Sequence, residues 1–257
     1  MESETVVESG ISVSHAESGV STVLIDSPPV NALRFVDIQQ LNEAFKALET
    51  RTETCAVLLE ATGQRAFVAG TDVREFTGLT AQNSARLTDL VQELVERIYE
   101  LRVPVVAAIN GPALGSGVAI ASACDIRIAS TKGKLGLPEI DVGVMGGSKH
   151  IARLLPQGMS RLMMYTGLRL DAQECHRLGA FEKVVEPDEL HGAALEVAES
   201  IAGKFPKAIE LAKRGLNRTE FMALTEGYEY ECLLTAILRS DPESAKVSES
   251  FFSGPSK

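Results

Sequence analysis

Two short glycine-containing stretches carry residue types and spacing that could stabilise a negative charge. They are Ala69-Gly70-Thr71-Asp72 and Gly115-Ser116-Gly117, and a helix is predicted to follow each. Backbone N–H groups at the start of a helix bind anions, and small residues let a ligand atom approach them closely. Either stretch alone is also typical of a tight turn, but two that converge on one point would form an oxyanion hole.

A third candidate is Glu139, in the stretch GLPEIDVG. It follows a proline and a short apolar segment, and glycines come after it, so its carboxylate is expected beside a tight loop. A carboxylate in such a place could exchange a proton with a reacting carbon. Taken by itself, the pattern is more typical of an ordinary surface glutamate, so its meaning depends on the rest of the chain.

The spacing of the residues argues against several other kinds of site. GSGVAIA lacks the GxGxxG spacing and the later acidic residue of a dinucleotide-binding loop, and no GxxxxGK[ST] phosphate loop is present. ALGSG is not the GxSxG pattern of a serine nucleophile, although a pair formed by Ser116 and His150 remains open. The four cysteines are far apart, so neither a metal site nor a disulfide framework is expected.

The composition describes an acidic protein of 257 residues with a formal net charge of −10. Such a charge argues against a general binder of nucleic acid, but it is compatible with a local basic pocket for a small phosphorylated ligand. The opening residues MESETVVESG do not form a signal-peptide pattern, and no apolar run reaches the roughly 18–20 residues of a membrane span. We therefore expect a reduced, cytoplasmic protein that binds neither nucleic acid nor a membrane.

Alternating strands and helices are predicted for about the first two thirds of the chain, and helices alone for the rest. The predicted strands are GISVSHAE, GVSTVLID, CAVLLEAT, VVAAI, DIRIAS, KLGLPE and FEKVVE, with a further short strand in QRAFVAGTDVREF. Helices are predicted at 35–50, 81–101, 148–156, 158–167, 187–203, 206–218 and 220–239, with a short one in DAQECHRLG. The segment GPALGSGVAIASAC is typical of a turn that leads into a helix, as an N–H anion site requires.

Five segments, taken together and in order, resemble the crotonase family, the enoyl-CoA hydratase/isomerase superfamily. They are SPPVNAL, AFVAGTDVREF, PVVAAINGPALGSGVAIASACDIRIAS, LGLPEIDVGVMGG and TGLRLDAQECHRLGAFEKVVEPDEL. The resemblance spans roughly residues 10–240 and implies an α/β fold, a spiral of strand–strand–helix (ββα) units with a C-terminal helical region. It further implies an acyl-CoA-binding core at 1–186, an oligomerisation region at 187–257, and a homotrimer or a dimer of trimers.

The same resemblance implies roles for the residues singled out above. The N–H groups of Thr71 and Ser116 would hold the thioester oxygen of an acyl-CoA and so stabilise the enolate formed when a proton leaves the adjacent carbon. Ser116 stands where many members of the family have glycine. Contacts with the substrate and its CoA moiety are implied for Val30, Ala32, Leu33, Ala69, Gly70, Asp72, Val73, Arg74 and Gly115. Arg34, Arg74 and Lys213 are candidates for binding the CoA phosphates, and no cofactor is expected beyond the CoA of the substrate.

The carboxylates decide which reaction the resemblance implies. Hydratases of the family use two glutamates on one water; the second corresponds to Glu139, and the first falls on Ala119, which cannot move a proton. The dienoyl-isomerase branch needs aspartates at the position of Ala119 and near Gly147, and both are absent. A single glutamate that takes a proton from C2 and returns it to C4 resembles the Δ3,Δ2-enoyl-CoA isomerases, which is the reaction we expect. Glu139 would then need a mostly apolar pocket and a raised pKa.

Three alternatives remain open at the level of sequence. A hydratase could use Asp72, Glu75 or Asp141 in place of the missing acid. A CoA-thioester hydrolase or C–C lyase could use Lys149 and His150, which stand where many relatives have glycines. A catalytically silent acyl-CoA-binding protein would need none of these residues, although the retained glutamate favours an enzyme of acyl-CoA and fatty acid metabolism.

Overall fold

The computed structural model describes residues 10–76 and 81–253, and a six-stranded sheet lies at their centre. The strands are β1 (Ile11–His15), β2 (Val20–Ile25), β3 (Ala32–Leu33), β4 (Ala56–Ala61), β5 (Gly70–Thr71), β6 (Val105–Ile109), β7 (Pro112–Leu114), β8 (Ile126–Ser130), β9 (Lys134–Gly136), β10 (Arg169–Asp171) and β11 (Lys183–Val185). The helices are α1 (Phe35–Thr50), α2 (Ala81–Glu100), α3 (Ser116–Ala123), α4 (Ser148–Leu154), α5 (Gln157–Thr166), α6 (Ala172–Arg177), α7 (Leu190–Ala202), α8 (Pro206–Thr219), α9 (Leu224–Arg239) and α10 (Pro242–Ser253). Short 3-10 helices span Val73–Phe76 and Pro138–Val142.

The strands of the main sheet are ordered β1-β2-β4-β6-β8-β11. β1 is antiparallel to β2, and every other neighbouring pair is parallel. Two small sheets accompany it, because β3 pairs with β5, and β9 pairs with both β7 and β10. Parallel neighbours need a crossover segment between them, and each crossover here contains a short strand and at least one helix.

One unit of structure recurs along the chain: a strand of the main sheet, a short strand of a small sheet, and then a helix. It occurs four times in succession, as β2-β3-α1, β4-β5-α2, β6-β7-α3 and β8-β9-α4. This arrangement confirms the expected α/β spiral of ββα units. The sequence pattern does not predict β7, because its three residues are too few to show an alternating pattern.

Both faces of the main sheet are covered, which explains why its inner strands are continuous apolar runs. In β4, Val57 and Leu59 belong to the hydrophobic cluster shared with α1, α2 and α3. Ala56 and Leu58 point to the opposite face and belong to the cluster shared with α7. Burying a valine or leucine side chain stabilises a fold by roughly 1.5–3 kcal/mol, so the sheet is fixed from both sides and gives the loops at its strand ends a rigid support.

Helix α1 spans the predicted residues 35–50, and the apolar side chains of the helical pattern are buried: Ile38, Leu41, Phe45 and Leu48. Its first turn is tied to the loop before it. The Asp37 carboxylate accepts hydrogen bonds from the Arg34 N–H and from the Ser27 hydroxyl, both at 2.9 Å. These bonds set the path of the chain just before the helix, where several candidate CoA contacts lie.

The chain after β11 is helical, as predicted. Helix α7 covers the second face of the main sheet through Leu190, Ala193, Ala194 and Ala198. The turn between α8 and α9 spans 220–223, so α9 begins at Leu224 rather than at 220, and α10 lies beyond the last predicted helix. The division into domains at residue 186 stays a prediction. None of the helices within the described ranges is long and apolar enough to span a membrane.

Candidate active site

The three residues singled out for chemistry occupy the same place in three consecutive ββα units. Thr71 ends β5, Ser116 begins α3 just after β7, and Glu139 lies in the 3-10 helix that follows β9. Successive units are joined through neighbouring strands, so their corresponding loops come close together. An isolated β-bridge between Val68 and Ala113, next to β5 and β7, is one direct contact of this kind.

Thr71 and Ser116 touch each other through their side chains. The Thr71 hydroxyl donates a hydrogen bond to the Ser116 hydroxyl at 3.2 Å, and both residues are half-buried. Ser116 is the first residue of α3, so its N–H has no carbonyl within the helix to bond. No hydrogen bond joins Ser116 to His150 in the part of the chain that the structure describes, so the Ser–His pair left open by the sequence is not formed.

Close packing of α3 against the segment before β5 makes this contact possible. A Cβ atom added to Gly117 would lie only 2.3 Å from the Val68 carbonyl oxygen, so a larger residue cannot enter without a shift of backbone. The same oxygen accepts the Leu114 N–H at 2.9 Å. The glycine after Ser116 is therefore required by the approach of two backbone segments, which the sequence interpretation did not assign to it.

The Glu139 carboxylate packs against Gly115. A Cβ atom added to Gly115 would lie 2.7 Å from Oε1 of Glu139, and the φ of Gly115 is +56°, a conformation that favours glycine. Oε2 of Glu139 is buried and has no hydrogen-bond partner among the described residues. Burial raises the pKa of the Glu139 carboxyl, against the smaller effect of a backbone hydrogen bond. A carboxyl of this kind beside the start of α3 can exchange a proton with a ligand held there.

The position at which the family's hydratases carry their first glutamate is part of the core here. Ala119 is 5% exposed, belongs to the main hydrophobic cluster, and lies one turn along α3 from Ser116. The sequence of α3, SGVAIASA, contains no acidic residue. The helix therefore supplies backbone donors and a hydroxyl, but no group that titrates near neutral pH.

The three carboxylates considered as substitutes have different surroundings. Hydrogen bonds from the Arg74 side chain are the main reason that the pKa of the buried Asp72 is lowered. Asp141 is exposed and packs beyond the end of α5, where a Cβ added to Gly167 would lie 2.8 Å from its Oδ2. Glu75 is half-buried in the 3-10 helix after β5. Within 10–76 and 81–253, no group of three or more His, Cys, Asp or Glu side chains could hold a metal ion.

Apart from Gly115, the residues expected to contact CoA lie on two paired segments. Because β3 and β5 are parallel neighbours, the candidates on the first segment lie beside those on the second. The first segment contributes Val30, Ala32 and Leu33, and the second contributes Ala69, Gly70, Asp72 and Arg74. Leu33 is fully buried beneath this surface, and its contact with a ligand stays a prediction. The side chain of Val73 lies outside the described ones.

Asn31 joins these two segments through its carbonyl oxygen, which accepts the Ala69 N–H at 3.2 Å, and the sequence interpretation did not assign it this role. Its amide nitrogen donates to the carbonyls of Thr62 and Ala66, both at 3.0 Å, and its Oδ1 accepts the Ser27 N–H at 2.9 Å. Its φ is +52°, which asparagine tolerates better than most residues. An asparagine in the stretch SPPVNAL was the available signal, because a short amide side chain commonly bonds nearby backbone in a turn.

The two arginines proposed for phosphate binding are exposed to solvent, whereas the lysine is buried. Arg34 pairs with Asp37 and Arg74 with Asp72, and the Arg74 side chain is 83% exposed, so both guanidinium groups are accessible to a ligand. The Lys213 side chain is only 4% exposed, and its ammonium group bonds the Asp125 carboxylate at 2.8 Å. Two backbone carbonyls accept its other hydrogens. The prediction that Lys213 binds phosphate is therefore wrong: it fastens α8 to the core.

Lys149 and His150 lie in the first turn of α4. The Lys149 ammonium group lies 4.0 Å from the ring centroid of Phe221, in the turn between α8 and α9. Burial, followed by the positive charges of Arg153 and Lys149, lowers the pKa of His150. His150 is thus neutral near pH 7, and Lys149 joins α4 to the C-terminal helices.

The far end of α3 is held by two arginines. Nη1 of Arg127 donates to the Cys124 carbonyl at 2.8 Å, and Nη1 of Arg153 donates to the Ser122 carbonyl at 2.6 Å. Each arginine is itself paired with a glutamate. Positive charge at the C-terminal end of a helix is favourable, because the helix dipole places its negative pole there and its positive pole at the first N–H groups.

Comparison with known proteins identifies the family of this fold and site. A family model described as Enoyl-CoA hydratase/isomerase matches residues 15–252. The chain belongs to the enoyl-CoA hydratase/isomerase family. It is therefore a crotonase-type enzyme of acyl-CoA chemistry, as the ordered segments of the sequence predicted.

Individual members of the enoyl-CoA hydratase/isomerase family match most of the chain. A short-chain-enoyl-CoA hydratase from Clostridium acetobutylicum is 36% identical over 206 residues, which cover 79% of each chain. A (7aS)-7a-methyl-1,5-dioxo-2,3,5,6,7,7a-hexahydro-1H-indene-carboxyl-CoA hydrolase from Mycobacterium tuberculosis is 35% identical over 221 residues, 84% of this chain and 87% of the relative. The crystal structure of an enoyl-CoA hydratase from Bacillus anthracis is 30% identical with a TM-score of 0.91, covering 95% of this chain and 96% of that one. These likenesses confirm the crotonase fold over nearly the whole chain.

Proposed function

We propose that this enzyme isomerises 3-enoyl-CoA to 2-enoyl-CoA thioesters, with Glu139 moving the proton. The observation that carries the proposal is a half-buried carboxylate of raised pKa at Glu139, combined with an alanine at position 119. Isomerisation needs one carboxylate, because the same group can remove a proton at C2 and deliver it to C4. Water addition by two cooperating carboxylates needs an acid that Ala119 does not provide.

The proposed reaction begins when Glu139 removes a proton from C2 of the 3-enoyl thioester. The electron pair passes into the carbonyl group and forms a dienolate, whose oxygen accepts hydrogen bonds from the N–H groups of Thr71 and Ser116. The electrons then return as C4 takes the proton from Glu139, so a C2–C3 double bond replaces the C3–C4 double bond. No atom is gained or lost, and no cofactor is needed beyond the CoA of the substrate.

Hydration of 2-enoyl-CoA is the second candidate function, and the hydratase name of the Clostridium acetobutylicum relative favours it. It would need a substitute for the missing acid. Asp72 suits this role poorly, because Arg74 keeps its carboxylate ionised. Glu75 and Asp141 are therefore the residues to test for this candidate.

Separate reactions with a 3-enoyl-CoA and a 2-enoyl-CoA, followed by mass and by ultraviolet absorbance, test the proposal. Isomerisation of the first, with no change of mass and with loss of activity in Glu139→Gln, supports it; Glu75→Gln serves as the matched control and should retain activity. Addition of one water to the 2-enoyl-CoA without isomerisation of the 3-enoyl-CoA would overturn it in favour of hydration. Release of free CoA would indicate a thioester hydrolase, and no turnover of either would indicate a binding protein.

We also propose that the C-terminal helices join copies of the chain into a homotrimer or a dimer of trimers. The support is a set of exposed apolar side chains on α8, on α9 and in the turn between them: Leu216, Phe221, Leu224, Tyr228, Leu233 and Ile237. Contiguous exposed apolar surface is typical of protein–protein contacts. Light scattering should give about three or six times the chain mass of 27.5 kDa, and a monomer would contradict the proposal. The cytoplasmic location stays a prediction, to be tested by cell fractionation.

A further inference from the structure

The hydroxyl groups of Thr71 and Ser116 form a directed pair. Thr71 Oγ1 is the donor and Ser116 Oγ is the acceptor, at 3.2 Å. A hydroxyl carries one hydrogen and can also accept hydrogen bonds. Because the hydrogen of Thr71 is used on Ser116, the hydrogen of Ser116 does not point to Thr71.

The position of Ser116 in α3 decides where that hydrogen can go. Side chains of a helix lean toward its N-terminal end, which is also the direction in which the first N–H groups point. Ser116 is the first residue of the helix, so its hydroxyl and its N–H lie at the same end. The end of β5, with Thr71, meets α3 at this point.

Another serine of the same helix shows the usual alternative. Ser122 is fully buried, and its hydroxyl donates to the Ala119 carbonyl at 2.9 Å, within the helix. Serines within helices commonly use such a carbonyl one turn back. Ser116 has no helical turn before it, so its half-buried hydroxyl keeps its hydrogen available to a ligand.

We propose that the Ser116 hydroxyl is a third donor to the thioester oxygen, beside the two backbone N–H groups, and that the Thr71 hydroxyl orients it. The inference rests on the proposed function, since it concerns the oxygen that carries the enolate charge. Ser116 is then a catalytic residue in its side chain as well as in its backbone, and the Thr71 side chain is a positioning residue. The third donor acidifies C2 of the substrate, which matters most in a site that has a single carboxylate.

The first test uses the absorption band of bound cinnamoyl-CoA, whose conjugated carbonyl absorbs at longer wavelength when it is polarised by hydrogen bonds. We expect a red shift in the wild-type enzyme that is partly lost in Ser116→Ala and less so in Thr71→Val. The double variant should lose no more of the red shift than Ser116→Ala alone, because both changes act on the same donor, the Ser116 hydroxyl. Ser122→Ala, the matched serine of the same helix, should keep the full shift.

The second test is kinetic. Ser116→Ala should lower kcat about tenfold to hundredfold, less than the loss of a sole side-chain donor because two N–H groups remain. KM should change much less than kcat, and thermal unfolding should show that the variants are folded. A full red shift together with an unchanged kcat in folded Ser116→Ala would overturn the inference and leave the proposed function intact. If the wild type turns over neither enoyl-CoA, the proposed function fails, and the absorption shift still decides whether the hydroxyl donates.

Discussion

A Cβ atom added to Gly115 would lie 2.7 Å from Oε1 of Glu139, so the carboxylate rests on the backbone of the residue that precedes α3. This contact joins the proposed base to the proposed anion site. A single residue without a side chain allows both to face one substrate, and a methyl group in that place must displace one of them.

Gly115→Ala is expected to lower kcat about a hundredfold, because a displacement of the order of 1 Å in a reacting group can have that effect. It should also destabilise the fold by roughly 1–3 kcal/mol, since Gly115 has a φ of +56°. Gly63→Ala is the control, because Gly63 also has a positive φ, +77°, but no atom lies within 4 Å of the Cβ that would be added. Equal losses of kcat in both variants would contradict the proposed contact.

Glu139→Gln is expected to stabilise the protein above acidic pH. Burial raises the folded-state pKa of Glu139 above the unfolded-state value, so ionisation lowers the free energy of unfolding as pH rises between these two values. The amide avoids that loss, so the variant should be more stable than the wild type at pH 8 and gain little near pH 4. Denaturant unfolding at both pH values measures it, with the exposed Glu196→Gln as control. A gain of the same size at both pH values would argue against this origin.

The pH dependence of kcat/KM should have a rising limb set by Glu139. The group must be ionised to accept a proton, so activity increases as pH rises through its raised pKa. The apparent pKa of the limb should lie above that of an ordinary glutamate. The affinity of a saturated acyl-CoA, which cannot react, should lack this limb. A limb that persists in the residual activity of Glu139→Gln would assign it to another group.

Gly117→Ala and Gly158→Ala should have opposite effects on stability, although both glycines lie within helices. The added Cβ of the first would meet the Val68 carbonyl oxygen at 2.3 Å, whereas the second meets nothing within 4 Å. We expect Gly117→Ala to cost about 1–3 kcal/mol through overpacking. Gly158→Ala should add roughly 0.5–1 kcal/mol through helix propensity. Thermal unfolding of the two variants provides the comparison, and a stabilising Gly117→Ala would mean that α3 is free to move.

Lys213→Met should destabilise the protein without weakening the binding of CoA. Removing one partner of a buried ion pair costs about 3–5 kcal/mol; the lower end is expected here because the Asp125 side chain is 23% exposed. Lys213→Met/Asp125→Asn should recover part of the loss. The KM ratio between an acyl-CoA and its 3′-dephospho form should stay unchanged in the folded variant. A selective loss for the phosphorylated substrate would restore Lys213 as a phosphate ligand.

Much of the fold could be predicted because each ββα unit is formed by one continuous stretch of sequence with its own local pattern. The apolar runs CAVLLEAT and VVAAI predict buried strands, and the spacing of Ile38, Leu41, Phe45 and Leu48 predicts a helix that the structure reproduces residue for residue. The order of the two glycine stretches and of Glu139 also follows, since each comes at a strand end before a helix. Ordered local signals were therefore sufficient to identify the family.

The parts that could not be predicted depend on contacts between distant segments. Lys213 has the pattern of a surface lysine, and only the approach of Asp125, 88 positions earlier, makes it a buried partner. Asn31 acts through carbonyls more than 30 positions away. The close fit of Gly117 against Val68 likewise exists only once the second and third units have come together. Helical spacing or alternation carries no information on such pairs.

The two arginines at the far end of α3 bear on the energy of the chemical step. Arg127 and Arg153 bind the last carbonyls of a helix of eight residues, and Val68 blocks its sideways movement near the first turn. In water, solvent dipoles must turn toward a forming enolate, and that reorientation is part of the barrier. In the proposed reaction, the dipoles of α3 that meet this charge are already aligned when the chain has folded. The work of solvation is thus carried out during folding, before any substrate has arrived.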